Sequence, residues 1–503
     1  MRSSRVPLAC GIAVLLVTGC TGDPEPPEPQ DGNEQPSSPP TEFRGQVPPG
    51  LDGEILRHLH GEDADVHPVL DDGGVRISPV EDAFLISSDG EDQHLLHDAA
   101  TGEALWEGEA GFNGFASDSD GDPVLLMADT DDVPFVLDPE GEKVWSAGDA
   151  DEVYLDGRIV DHPDEWSAEE PGGAFTVSDT DGDELWSYDF EPAEEESEED
   201  AEDSDEGSGD EDGGASEDEG TEPPLGVPVA AWDDTVLLSD GDSSLQAHTL
   251  EPEEAGEELW SVTGRDEELD LPDTAAGAVP QILGKYDLPG NEDAEETDED
   301  DGTDEDEDGA EDGDEDTPDE GLLLLRWAQP EAPSVLSAHD PDTGETRWTL
   351  QEPGTNPAAE PFATAGATGS LYDEETGTLL LQQASGGASF IAVDLAEGKE
   401  RWGLEDDDTA ISPAFAHDGH VYGDQRGGDT DSSQLVLDAV TMDVVDDELS
   451  VRVEAVTESG HAILVQDRQR FVHGPPPGED TDEEEASGSP EDESPEDESP
   501  EDD

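Results

Sequence analysis

Thr101-Gly-Glu-Ala-Leu-Trp106 returns along the chain as Glu140-Gly-Glu-Lys-Val-Trp145, Asp181-Gly-Asp-Glu-Leu-Trp186, Ala255-Gly-Glu-Glu-Leu-Trp260, Thr343-Gly-Glu-Thr-Arg-Trp348 and Glu397-Gly-Lys-Glu-Arg-Trp402. In each copy a glycine (Gly102, Gly141, Gly182, Gly256, Gly344, Gly398) stands four residues before a tryptophan, and six of the nine tryptophans share this frame. Asp98, Asp138, Asp179, Asp340 and Asp394 precede five of the glycines by three or four residues. The interval is 39 residues from Trp106 to Trp145 and 41 from Trp145 to Trp186. Later intervals are longer, and two of them hold acid-rich inserts. A period of about 40–50 residues with strand-like content implies propeller blades.

The first unit shows how one blade is written. Val75-Arg-Ile-Ser, Ala83-Phe-Leu-Ile-Ser and His94-Leu-Leu-His are short apolar runs bounded by turn residues. The motif glycine then permits a turn at positive φ, and a fourth strand carries the tryptophan. One flat indole per blade suits burial between neighbouring sheets. A seventh unit around Leu437-Asp-Ala-Val-Thr441 has lost its tryptophan. The last strands, Val453 to Val456, His461 to Gln466 and Arg470 to His473, lack a fourth, and Glu54-Ile-Leu-Arg-His58 lacks a blade. Joining these ends closes the ring and removes its free edges. The fold expected is therefore all-β, a propeller of about eight four-stranded blades, with seven the alternative.

Composition explains the irregular intervals. The chain has 503 residues, with 141 Asp or Glu against 17 Lys or Arg and a formal charge of −124. That charge excludes a nucleic-acid-binding surface, because phosphates repel it. Residues 191–222 hold 18 acids, residues 291–320 hold 20 and the tail 474–503 holds 15, with no base in any of them. Such stretches cannot bury enough apolar surface to offset chain entropy, so two read as disordered insertions and one as a disordered tail. Solvation is their plainest role, with cation buffering or capture of a basic partner as the functional alternatives. The remaining body is still strongly acidic, a composition that resembles proteins of salt-loving bacteria, in which salt screens self-repulsion.

The N-terminus reads as an address. Arg2 and Arg5 precede an apolar run from Val6 to Val17, too short to span a bilayer, which ends in Val17-Thr18-Gly19-Cys20. This resembles the bacterial lipoprotein signal, which implies cleavage before Cys20, lipidation of its thiol and an extracytoplasmic, lipid-anchored protein. The expected layout is a signal peptide at 1–19, a tether at 20–51, a propeller at 52–473 and the tail beyond. The only cysteines are Cys10 and Cys20. The mature chain then offers no thiol for catalysis, disulfide or metal.

The Asp, Gly and Trp frame resembles the quinoprotein-like (PQQ-type) β-propeller repeat over roughly residues 52–473, inserts excluded. The resemblance covers two kinds of protein: quinone-dependent dehydrogenases, which use PQQ and Ca²⁺ and often a disulfide of adjacent cysteines, and non-enzymatic envelope lipoproteins. Adjacent cysteines do not occur here, and no residue can be matched to the acidic base of the enzymes. No catalytic residue, metal ligand or cofactor is therefore assigned. The turns Asp118-Ser-Asp120-Gly-Asp122 and Asp179-Thr-Asp181-Gly-Asp183 carry alternate carboxylates but lack the glycine and glutamate positions of an EF-hand loop. They read as Asp-Gly hairpins. His58 with His60 and His417 with His420 lack a third converging ligand for zinc and read as surface or edge histidines. Trp166 and Trp232 fall outside the frame, as blade-packing or groove-lining residues, and Trp327 reads as part of a buried strand. The function expected is a non-catalytic scaffold that binds envelope proteins. A surface protein binding a sugar, quinone or metal, or a PQQ-dependent enzyme, is the rival.

Overall fold

The structure is a computed structural model. It describes residues 42–59, 67–71, 74–149, 151–164, 166–192, 225–269, 271, 278–289, 321–329, 332–358, 360–364, 371–386, 388–405, 411–425 and 434–475. The chain divides into Met1–Pro39, which lies outside these residues, and Pro40–Asp503, which holds the fold. Cys20 and the preceding Val17, Thr18 and Gly19 lie outside the described residues, as do nearly all of both acidic insertions and of the tail. Among the described residues no helix is long and apolar enough to cross a membrane.

Among the described residues thirty-two strands form eight antiparallel sheets of four. In seven of them the strands pair in sequence order; these are blades 1 to 7, and they begin at Arg76, Gly111, Glu152, Val227, Val279, Leu371 and Ile411. Blade 8 takes three strands from the C-terminal end, Arg452–Val456, Ala462–Gln466 and Gln469–Gly474. Its fourth strand is Glu54–His58, which pairs with the last of these. The ring is thus closed by hydrogen bonds between the two ends of the fold.

First strands of adjacent blades lie together, blade 6 beside blade 7 and blade 8 beside blade 1, so they line the inner ring. The second and third strands are buried almost throughout, as in Ala83–Ser87 and Thr235–Ser239. The core is a series of apolar layers between blades. One joins Leu237, Trp260 and Val262 of blade 4 to Leu323, Leu325 and Trp327 of blade 5.

Residues 42–51 correct the expected tether. They pack on the propeller instead: Phe43 meets the Phe471 ring edge-on at 5.5 Å, and Leu51 is buried with Tyr422 and Val453. The Tyr422 hydroxyl donates to the Pro49 carbonyl, and the Gln46 amide donates to Ser450 Oγ at 2.8 Å. The apolar Phe43 and Leu51 inside a polar, proline-rich stretch are the physical reason. The last strand likewise runs one residue past the expected limit of 473, since Gly474 pairs with Glu54.

Candidate functional site

The repeat motif is a joint between blades. Gly344 of blade 5 lies under the Trp260 ring of blade 4; a Cβ there would stand 2.7 Å from the indole. Gly256 and Gly398 meet the Trp186 and Trp348 rings in the same way, whereas Gly141 lies against the Leu105 carbonyl and the Trp106 Cβ. The indole Nε1 then donates to a carbonyl of the next blade's motif loop. Trp260 reaches Pro341 at 2.9 Å, Trp348 reaches Leu395 at 2.7 Å and Trp402 reaches Ala439 at 2.9 Å. The aspartate before five of the glycines shapes that loop: Asp340 Oδ1 accepts from the Thr343 amide and hydroxyl, both at 3.0 Å. Gly182 departs from the pattern, with open space where its Cβ would be, and Trp145 packs on Tyr154 at 5.9 Å instead.

One residue completes the ring that the motif leaves unfinished. Arg57 pairs with Val472 just past a bulge, as Trp106 pairs with Leu96. It occupies the tryptophan position of blade 8, covers Gly102 of blade 1 and donates to the Ala100, Asp98 and Ala99 carbonyls at 3.0, 2.8 and 2.6 Å. In blade 7 the equivalent position is Asp446, opposite Val436. Blade 8 has no loop there to receive an indole, because its third and fourth strands are the two ends of the fold.

The off-frame tryptophans separate. Trp327 is fully buried and donates to Ser337 Oγ at 2.8 Å. Trp166 stacks on His162 at 4.6 Å, meets Phe362 at 6.2 Å and donates to the Pro171 carbonyl at 3.2 Å. It thereby ties together loops at the end of the ring where the first strands begin. Trp232 sits at the other end and lines a cavity of about 630 Å³.

That cavity is the strongest candidate site. It lies where first strands turn back into second strands, and blades 2, 3, 4 and 5 all contribute. Phe115, Trp232, Ile282 and Leu323 supply apolar wall; Asp118, Asp120, Asp122, Asp156, Asp233 and Asp287 supply carboxylates, and among the described residues Lys285 is the only cation of the lining. Lys285 Nζ bonds Asp233 Oδ2 at 3.2 Å. A second cavity, of about 600 Å³, opens on the same face between blades 6, 7 and 8, with Asp373, Glu374, Glu375, Asp418 and Glu458 in its lining. Every blade places a carboxylate in or beside its first-to-second-strand turn, in chain order Glu81, Asp122, Asp156, Asp233, Asp287, Glu374, Asp418 and Glu458.

These carboxylates feel one another. Glu81 is held above the usual carboxylate range first by burial, then by Asp122, Glu140 and Glu458. Glu458 is raised by burial, then by Glu374, Asp82 and Asp122. Burial alone raises Asp156, against amides that donate to it. The two alternate-carboxylate turns use their oxygens internally: Asp118 Oδ1 accepts from the Asp120 and Asp122 amides at 2.8 and 3.0 Å, and Asp179 Oδ1 accepts from Asp183 at 2.8 Å. Among the described residues no group of three or more His, Cys, Asp or Glu side chains could hold a metal ion. His58 Nε2 bonds Gln469 Oε1 at 2.9 Å, while His60 lies outside the described residues. His417 faces His420 across a hairpin, and burial lowers its pKa. The carboxylate face went unread in the sequence, because acids are so frequent throughout that one more per turn carries no signal.

Residues 64–209, less than a third of the chain, match the family model described as outer membrane protein assembly factor BamB. Over that stretch the chain is similar to a PQQ-like repeat family. No curated protein matches it. Among solved structures the propeller is similar to BamB from Moraxella catarrhalis, at 12% identity over 79% of this chain and 96% of that one, with a TM-score of 0.37. It is also similar to a quinohemoprotein alcohol dehydrogenase from Pseudomonas putida HK5, at 12% identity over 78% and 69% of the two chains and a TM-score of 0.35. A third is AztD from Citrobacter koseri, at 12% identity over 74% and 85% and a TM-score of 0.38.

Proposed function

We propose that this PQQ-like propeller is a non-catalytic, protein-binding scaffold of the cell envelope, tethered through lipid on Cys20. The observation that carries the reading is the match of residues 64–209 to an assembly-factor family. The fold suits the task. Its blades are locked by tryptophan, glycine and arginine joints, so the turns on its faces are held rigidly, and rigid turns present a surface at low ordering cost. The signal-like Val17-Thr18-Gly19-Cys20 supports anchorage, and two or more acyl chains would hold the protein stably. The acidic body would stand away from anionic headgroups.

The test is crosslinking in intact cells, detergent extraction and mass spectrometry of what co-purifies. One or two recurrent envelope proteins are expected, lost when the propeller is removed and the anchor kept. A partnerless protein sinks the scaffold. The 630 Å³ cavity falls within the size range of small-molecule sites and favours a second reading, a small-ligand binder or quinone enzyme. That reading expects the purified protein to absorb in the near-ultraviolet and bleach on reduction.

A further inference from the structure

We infer that the carboxylate face docks a basic, extended segment of a partner protein, seated in the cavity between blades 2 and 5 with an apolar side chain against Phe115 and Trp232. This rests on the scaffold reading and names the chemistry of its partner.

Charge complementarity gives the sign. Six carboxylates and one lysine line the cavity, and the second cavity extends the same charge across blades 6 to 8. Glu81 and Glu458 are raised by burial first and neighbouring carboxylates second, and Asp122 of the lining is among those neighbours for both. A bare metal ion does not fit this description, since the acids are spread over a large cavity and the turn oxygens of Asp118 already accept backbone amides.

The walls give the rest. Phe115 is 45% exposed, an unusual state for an aromatic side chain, and packs edge-on against Phe112 at 5.1 Å. Trp232 is nine-tenths buried in the wall, and its Nε1–H meets no acceptor. It is the only tryptophan among the described residues with a buried, unmet donor. Leaving such a donor unmet is costly, and buried donors are almost always paired. An extended chain brings backbone carbonyls, and a small shift of the Trp232 ring on docking would open this sealed donor to one. Lysine or arginine side chains answer the aspartates, and an apolar side chain covers Phe115.

The molecule contains its own control. Asp129-Thr-Asp131-Asp132 forms a turn of the same construction, with Asp129 Oδ1 accepting from Asp131 and Val133 at 2.8 and 3.0 Å, but it lies at the opposite end of blade 2. Asparagine keeps these acceptor oxygens and removes the charge. The probe is a capped, labelled octapeptide alternating lysine and phenylalanine, titrated onto the full chain by fluorescence anisotropy at physiological salt. Replacing Asp118, Asp120 and Asp122 together by Asn is expected to weaken binding about tenfold, and Phe115→Ala about fivefold. Replacing Asp129, Asp131 and Asp132 by Asn is expected to change it less than about twofold. Equal losses in both triple variants, or an unaffected Phe115→Ala, would overturn the site and leave only diffuse attraction. The two readings fail separately. If the cellular partner is still captured by the Asp118, Asp120, Asp122 triple variant, the docking site falls and the scaffold stands. If the unaltered protein captures nothing, the scaffold falls.

Discussion

Met442 sits at φ 63°, in the left-handed region that the motif glycines occupy in six other blades. Its side chain packs against the apolar cluster that contains Trp402. Glycine is required elsewhere for two separable reasons, backbone angle and contact with the indole. Gly182 at φ 88° has open space around its absent Cβ, whereas Gly344 at φ 69° faces Trp260 at 2.7 Å. Gly182→Ala is therefore expected to destabilise by about 1 kcal/mol, the strain of a left-handed alanine. Gly344→Ala is expected to lose several times more, since the indole must leave its pocket. Urea unfolding monitored by tryptophan fluorescence compares the two, and equal losses would show that only the angle matters. A second residue carries a buried charge. Glu352, 2% exposed, accepts from Arg326 Nε and Nη2 at 2.9 and 2.8 Å and from Gln383 at 2.8 Å. Glu352→Ala leaves Arg326 buried without its counter-charge, so a loss of about 3–5 kcal/mol is expected, with Glu352→Gln costing less.

At the scale of the element, the closing strand Glu54–His58 does two jobs, pairing with blade 8 and inserting Arg57 over blade 1. Removing the side chain alone separates them. Arg57→Ala should keep the strand pairing but leave the Ala99 and Ala100 carbonyls without their donor, a cost of about 2–3 kcal/mol. Arg57→Lys should recover only part, because an ammonium cannot spread its donors as a guanidinium does. Thermal unfolding orders the three proteins, and an Arg57→Ala protein as stable as the parent would deny the joint. The number of blades was legible because the Gly and Trp spacing repeats, and closure was legible because three terminal strands lacked a fourth. The arginine was not, since one basic residue in a lone strand has no repeat to reveal it. The docking of residues 42–51 was hidden by the prolines and acids around Phe43 and Leu51. Blade 7 reads differently once the topology is known: Asp446 replaces tryptophan where the next blade has no motif loop to meet it. The carboxylate face is the extreme case. Asp156, Asp233 and Asp418 are also the residues that tight hairpins with positive φ favour, so turn chemistry masks whatever else placed them there.

At the scale of the whole molecule two opposed titrations meet. Burial holds His94, His97, His162, His248, His339, His417, His461 and His473 below the ordinary imidazole value. His97 is the extreme, lowered to about 4, fully buried, with neither ring nitrogen bonded. An unfolded chain takes up these protons near pH 6.5 and the folded chain only lower, so the unfolded state binds more protons between the two values. Stability from this group is present above about pH 6.5 and lost on acidification. For His97 alone the difference is on the order of 3 kcal/mol. Glu81, Asp156 and Glu458 act in the other direction, because their folded carboxyls take protons at higher pH than the unfolded ones. Acidification toward pH 4 relieves their burial and repulsion. Salt divides the two effects. Raising the salt from about 0.1 to 1 M shortens the screening length from about 10 to 3 Å, which weakens carboxylate repulsion and leaves the desolvated imidazoles untouched. With a formal charge of −124, the melting temperature at pH 7 is expected to rise with salt. In 1 M salt it is expected to fall between pH 7 and pH 5 more steeply than in 0.1 M salt. His97→Leu should flatten that fall, gaining on the parent at pH 5 relative to pH 7. Parallel pH curves for parent and variant would remove His97 from the account, and a melting temperature indifferent to salt would remove the repulsion.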